Sequence, residues 1–166
     1  MGPRQLARIR YSDGSKYLGQ TKDGEPDGVG TLKFADGTRV SGEFKGTLVG
    51  FGYVLWPDGF LYEGETQGGQ QHWLGTRVLP GREFYEGEFG NGQPHGRGQV
   101  VWSGDGHYEG KFKDGYMDGY GTRQYAGGSL HMGQFKKSRR HGKGVHVTTQ
   151  GKEIAGEWKD DFRCNQ

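Results

Sequence analysis

Six histidines, a few closely spaced carboxylates, several Gly-x-Gly triplets and one dense run of cations are the residues of this 166-residue chain that could do chemistry. The histidines are His72, His95, His107, His131, His141 and His146. None stands at a zinc-ligand spacing from the single cysteine, Cys164. Glu86 and Glu88 share one face of a strand and could form an acid/base pair, but the same spacing returns as Glu63 and Glu65, which marks it as a repeated feature. Gly28-Val29-Gly30 and its relatives lack the rest of a dinucleotide loop and open no helix. No catalytic, cofactor or metal site is therefore expected. The cations Lys136, Lys137, Arg139, Arg140 and Lys143, with His141, fit either a solvated turn or a contact for anionic lipid. In the second case each would add ~1 kcal/mol near a charged membrane.

These residues sit in an unusual background. Only 30% of the chain is hydrophobic, with a mean hydropathy of -0.93, so one large closed core is hard to build. Glycine is abundant (35 residues), yet aromatics reach 13%, and disordered chains are poor in aromatics. A lone cysteine near the C-terminus fits a reducing compartment. The N-terminus lacks the apolar stretch of a secretory signal, and Leu6 stands where a myristoylation signal has Ser or Thr. A soluble, cytoplasmic protein is expected.

The glycines are periodic. A large residue followed two positions later by glycine recurs as Tyr17/Gly19, Val40/Gly42, Tyr62/Gly64, Tyr85/Gly87, Tyr108/Gly110, His131/Gly133 and Ile154/Gly156. A Gly-x-Gly series and a turn series, such as Asp13-Gly14, Asp36-Gly37 and Asp58-Gly59, keep the same phase. The interval of 22 or 23 residues is short for a helix pair, and each glycine would cost a helix about 1 kcal/mol. Within a unit the pattern alternates, as in Tyr108-Glu109-Gly110-Lys111-Phe112, where ring, glycine and ring share one face. Asp-Gly between such runs predicts a hairpin turn, and the other turn of each unit, such as Lys113 to Asp118, reads as longer and polar. Glycine between rings leaves room for a neighbouring ring to lie across the strand.

The runs from Tyr85 to Gly98 and from Tyr108 to Gly121 resemble the MORN (membrane occupation and recognition nexus) repeat, and the resemblance extends over about residues 9 to 160. It implies an all-β, elongated, single-layer antiparallel meander with an aromatic-lined groove. The expected organisation is a tail over residues 1–8, the array over 9–160 and a tail over 161–166. Departures are Thr21 and Thr66 in place of aromatics, His131 in place of tyrosine, Trp73 in place of a glycine, and a last hairpin that stops after Trp158.

Function is expected to lie in binding. Residues 61–120 carry 5 basic and 9 acidic side chains, and residues 121–166 carry 9 and 4. Such a dipolar chain suits self-association, while the lack of a basic stripe argues against nucleic acid. The second sheet face, polar in most units, is apolar over the second and third: Phe51, Tyr53, Leu55, Leu61, Leu74 and Val78. This patch, with Tyr85, Trp102 and Tyr108 of the aromatic groove, is the candidate protein-binding surface, unless a terminal segment such as Gln5 to Arg10 covers it. The leading expectation is a non-enzymatic scaffold, which the family resemblance places in cytoskeletal or ciliary assemblies. A peripheral membrane adaptor using Lys136, Lys137, Arg139, Arg140 and Lys143 is the alternative.

Overall fold

Alternating ring and polar residues, cut by turns at a fixed interval, fold as strands throughout. The computed structural model describes residues 2–164, and among these there is no helix. The chain divides into two compact units, residues 1–80 and 81–166. The first holds β1 (Gln5–Arg10), β2 (Lys16–Lys22), β3 (Glu25–Lys33), β4 (Arg39–Lys45), β5 (Thr47–Leu55), β6 (Leu61–Gln67) and β7 (Gln70–Leu79). The second holds β8 (Glu83–Gly90), β9 (Gln93–Trp102), β10 (Gly106–Lys113), β11 (Tyr116–Tyr125), β12 (Leu130–Lys136), β13 (Arg139–Val147), β14 (Glu153–Lys159) and β15 (Phe162–Arg163). Within each unit every strand pairs antiparallel with the next. The antiparallel hairpin meander expected from the repeat is the fold.

One contact recurs in each repeat. Glycines face each other across neighbouring strands: Gly19 and Gly30, Gly42 and Gly52, Gly64 and Gly75, Gly87 and Gly98, Gly110 and Gly121, Gly133 and Gly144. A ring lies over most of these pairs, and its hydroxyl donates to a carbonyl three residues on: Tyr17 to Gln20, Tyr62 to Glu65, Tyr85 to Glu88, Tyr108 to Lys111. Val40 is too short for this, and Leu48 covers its glycine pair instead. In the second unit the rings meet edge to face in a row, Tyr85–Phe112 at 5.1 Å, Tyr108–Phe135 at 5.1 Å and His131–Trp158 at 5.2 Å. Such edge-on pairs contribute roughly 0.5–1.5 kcal/mol each beyond their burial. Thr21 and Thr66 lack a ring, and their hydroxyls donate to the carbonyls of Gln5 and Gly50.

The turn expected to be long is tight. Asp114 and Gly115 both have positive φ (50° and 84°), as do Asp23 and Gly24, and Asn91 and Gly92, which type I′ turns require. The missing length goes into a bulge after each glycine pair, where the register shifts, for example between Gly110 and Phe112. Tip residues Pro26, Leu48, Gln71, Pro94 and Met117 are buried. Within each unit the tips also bond in sequence: Gly46 N–H donates to Pro26 O and Gly69 N–H to Leu48 O in the first, and Gly115 N–H to Pro94 O and Ser138 N–H to Met117 O in the second, at 2.8 to 3.3 Å. The ring face is thereby closed, and the opposite, open face keeps the polar residues.

The ends also pair. Gln5 onward, partly within the tail expected over residues 1–8, is strand β1 on β2 and does not cover the apolar patch. The last hairpin does not stop after Trp158: it turns at Asp160 and Asp161 into β15, within the tail expected over 161–166. Arg163 there lies over Gly156 as the rings do elsewhere. Residues 1, 165 and 166 of those two tails lie outside the described residues.

A Cβ at Gly110 would fall on the Tyr108 hydroxyl and the Gly121 α-carbon, whereas one at Gly127 would meet only Thr149 at 4.0 Å. Gly110→Ala is therefore expected to cost about 2 kcal/mol or more, and Gly127→Ala under ~0.5 kcal/mol. Urea unfolding of the two variants checks this, and equal midpoints would contradict the ring-over-glycine account.

Candidate functional site

Register decides which predicted residues can touch a partner. In the first unit, alternation puts Phe51, Tyr53 and Leu55 of β5 on the open face. Phe51 is 56% exposed, and its ring meets Tyr53 edge to face at 5.8 Å. Leu61 lies opposite the exposed Leu55 and also opposite Val78, and Leu61 and Val78 are half-buried. Leu74 of β7 is 61% exposed. These six residues thus share the open face of the first unit as an apolar patch, exposed at Phe51, Tyr53, Leu55 and Leu74 and half-buried at Leu61 and Val78. Carboxylates interrupt it: Glu65 stands opposite Phe51, and Glu63 opposite Tyr53. Tyr53 donates to Glu63 Oε1 at 3.2 Å, and the charge of that carboxylate raises the phenol above the ordinary tyrosine range.

Sequence reasoning noticed Trp73 only as an irregularity. It occupies the place where Gly96 and Gly142 have φ of 65° and 60°, and it takes the same conformation at 54°. A bulky residue there is strained by roughly 1–2 kcal/mol. Yet Trp73 is 66% exposed beside Leu74, touching the His72 ring at 5.4 Å. Strain held at an exposed tryptophan, with no burial to offset it, adds Trp73 to the candidate patch. A tryptophan at a glycine position was the signal.

The aromatic groove is corrected. Tyr85 and Tyr108 are 1% and 0% exposed, because the folded hairpin tips close over the ring face. Burial lifts the phenol of Tyr108 well above the ordinary tyrosine range. These rings are core and cannot meet a partner. Trp102 is half-buried, with the Arg123 guanidinium 4.2 Å above its ring and its indole N–H donating to Glu83.

The basic sixth unit is also taken apart. Lys136, Lys137 and Arg139 are exposed around a two-residue turn, with Lys137 N–H bonded to Asp118. Arg140 instead stacks 4.3 Å over Trp158 and pairs with Asp161 at 3.3 Å. Lys143 stands opposite Glu157 on the next strand and lines a separate cleft of about 970 Å³ with Tyr120, Met132, Val145 and Cys164. Three of the five cations thus share one exposed turn, while Arg140 is engaged with Trp158 and Asp161 and Lys143 faces Glu157.

The MORN repeat family model matches residues 17–39, 85–106, 108–130, 131–152 and 155–166, more than half of the chain. The chain belongs to the MORN-repeat family. The matched segments leave out residues 40–84, which hold Val40, Thr66, Trp73 and the apolar patch. The chain is similar to the MORN repeat-containing protein 4 homolog of Drosophila melanogaster, with 42% identity over 45 residues. That match covers 26% of this chain and 23% of the relative. Among solved structures it overlays on the SAS-4 (dCPAP) TCP domain of Drosophila melanogaster, solved in complex with a proline-rich motif of Ana2 (dSTIL). The overlay has a TM-score of 0.49 and 12% identity, over 96% of this chain and 97% of that one.

His131 is this MORN protein's exception in the ring row. It is fully buried, neither ring nitrogen has a hydrogen-bond partner, and burial with the nearby Arg140 and His146 charges holds its pKa at about 4. In the unfolded chain it takes up its proton near ~6.5, so stability is intact above that pH and is lost between there and about 4. His131→Tyr restores the ring of the other repeats and is expected to raise the melting temperature. It should also flatten its fall over pH 6.5 to 4, read by circular dichroism melts. An unchanged pH profile would remove His131 as the acid-sensitive group.

Proposed function

We propose that this chain is a non-enzymatic protein–protein scaffold that docks a partner on the open face of its first unit. The observation that carries the reading is the apolar patch of Phe51, Tyr53, Leu55, Leu61, Leu74 and Val78, with the strained Trp73 beside it. Apolar surface collected in one place on a soluble domain marks an interaction site. The fold does not need the patch, because the ring face already buries Val40, Phe44, Leu48, Val54 and Tyr62 in the same unit. The family resemblance supports a place in a cytoskeletal or ciliary assembly, with the protein in the cytoplasm. The membrane-adaptor alternative keeps only Lys136, Lys137 and Arg139 at one turn, since Arg140 stacks on Trp158 and Lys143 faces Glu157, so it is the weaker reading.

Phe51→Ser with Tyr53→Ser is expected to leave the β signature and melting temperature nearly unchanged while a partner is lost from affinity capture. Aromatic anchors at an interface contribute about 2 kcal/mol or more, roughly thirtyfold in affinity. Trp73→Gly should weaken the same partner yet stabilise the protein by about 1 kcal/mol, since it relieves the positive φ. Unfolding of the serine variant would make the patch core, and retention of every partner would move the contact elsewhere.

A further inference from the structure

The open face of the first unit carries a charge pattern that linear order conceals. Register sets Arg10 opposite Lys16, Lys16 opposite Lys33, and Lys33 opposite Arg39. Arg39 stands opposite Leu55, Leu55 opposite Leu61, and Leu61 opposite Val78. Four cations from β1 to β4 are thus followed by three aliphatic residues from β5 to β7, in a single line across the strands. Arg8 stands beside the line, two residues from Arg10 on the same face. All five cations are exposed, and among the described residues none is in an ion pair. Contrary to the expectation that no basic stripe exists, a short one thus crosses β1 to β4.

The fold does not ask for this row. Like charges placed directly opposite destabilise a strand pair. The equivalent row of the second unit holds Phe84, Val101, His107, Gln124, Leu130 and Val147, with no lysine or arginine. Strands ~4.8 Å apart put the cations along roughly 14 Å and the whole row along about 29 Å.

We propose that this row seats a segment of a partner protein that is acidic at one end and apolar at the other. Its carboxylates lie over Arg10, Lys16, Lys33 and Arg39, and its aliphatic or aromatic side chains lie over Leu55, Leu61 and Val78, next to Phe51 and Tyr53. The proposal rests on the docking reading above and names the chemistry of what docks. The line is one residue wide. Glu43, Glu63 and Glu65 are exposed on the same face, opposite Val29, Tyr53 and Phe51. A broad polyanion, such as duplex nucleic acid or a vesicle surface, would press against those carboxylates. A single chain lying along the row meets the cations and avoids them.

The probe is a fluorescein-labelled peptide of about 12 residues, long enough when extended to follow the row, with glutamates in its first half and leucine and phenylalanine in its second. Its counterpart has lysines for glutamates. Both are titrated with the full chain by fluorescence anisotropy at ~50 mM and ~300 mM salt, beside phosphatidylserine vesicles and a duplex oligonucleotide. The glutamate peptide is expected to bind about tenfold tighter than the lysine peptide, and more weakly at the higher salt. Lys16→Glu with Lys33→Glu and Arg39→Glu should reverse that preference. If the reversed variant fails to fold, glutamine at the same three positions removes the repulsion and should abolish the preference. Equal binding of the two peptides, an unchanged preference in the charge variants, or tighter binding of the vesicles or the duplex overturns the proposal. A captured partner that is released by Phe51→Ser with Tyr53→Ser but held by the charge variants overturns it while leaving the docking reading intact. A partner held by both sets defeats both.

Discussion

A tyrosine ring laid across two facing glycines is the contact on which the rest of this protein depends. It lets a chain with few hydrophobic residues bury aromatic surface without a second sheet, because each strand supplies the hollow that its neighbour's ring fills. The hydroxyl then donates to a carbonyl three residues on, so the polar end of the ring is not left unpaired inside. Replacing either glycine or ring disturbs two strands at once. Where the ring is absent, the structure improvises: Leu48 reaches in from a hairpin tip, and Arg163 covers the last glycine.

Once the ring face is closed in this way, the accessible side chains are those of the other side. The open face differs from repeat to repeat. It does so most in the first unit, where an apolar patch and a line of cations share one row of cross-strand neighbours. Both features run against local stability: like charges face one another, and Trp73 holds a backbone conformation that suits glycine. Features that cost stability and are not repeated elsewhere in the array are where binding is best sought.

The strands, their phase and the ring-over-glycine contact were legible in the sequence, because alternation and a 22 or 23-residue interval encode them directly. The apolar patch was legible for the same reason. The burial of Tyr85 and Tyr108 was not, since it depends on a bulge after each glycine pair that folds the hairpin tips inward, and period-two counting is blind to a register shift. The line of cations was hidden too. Lys16 and Lys33 are far apart in sequence and become neighbours only through strand pairing. Adjacency in sequence misled in the opposite sense at the sixth unit. Arg140 and Lys143 are close along the chain, but one stacks on Trp158 and the other faces Glu157 across the next strand.

The bulge and turn that close each hairpin also constrain how such a chain can change length over evolution. Because side chains alternate faces, a single inserted residue inside a strand would exchange its buried ring for its exposed neighbour, trading Tyr17 for Lys16, for example. An inserted whole repeat keeps every ring and glycine in phase and adds two strands, or ~9.6 Å, to each surface row. Length in this protein is therefore quantised, and every surface row grows in the same two-strand steps.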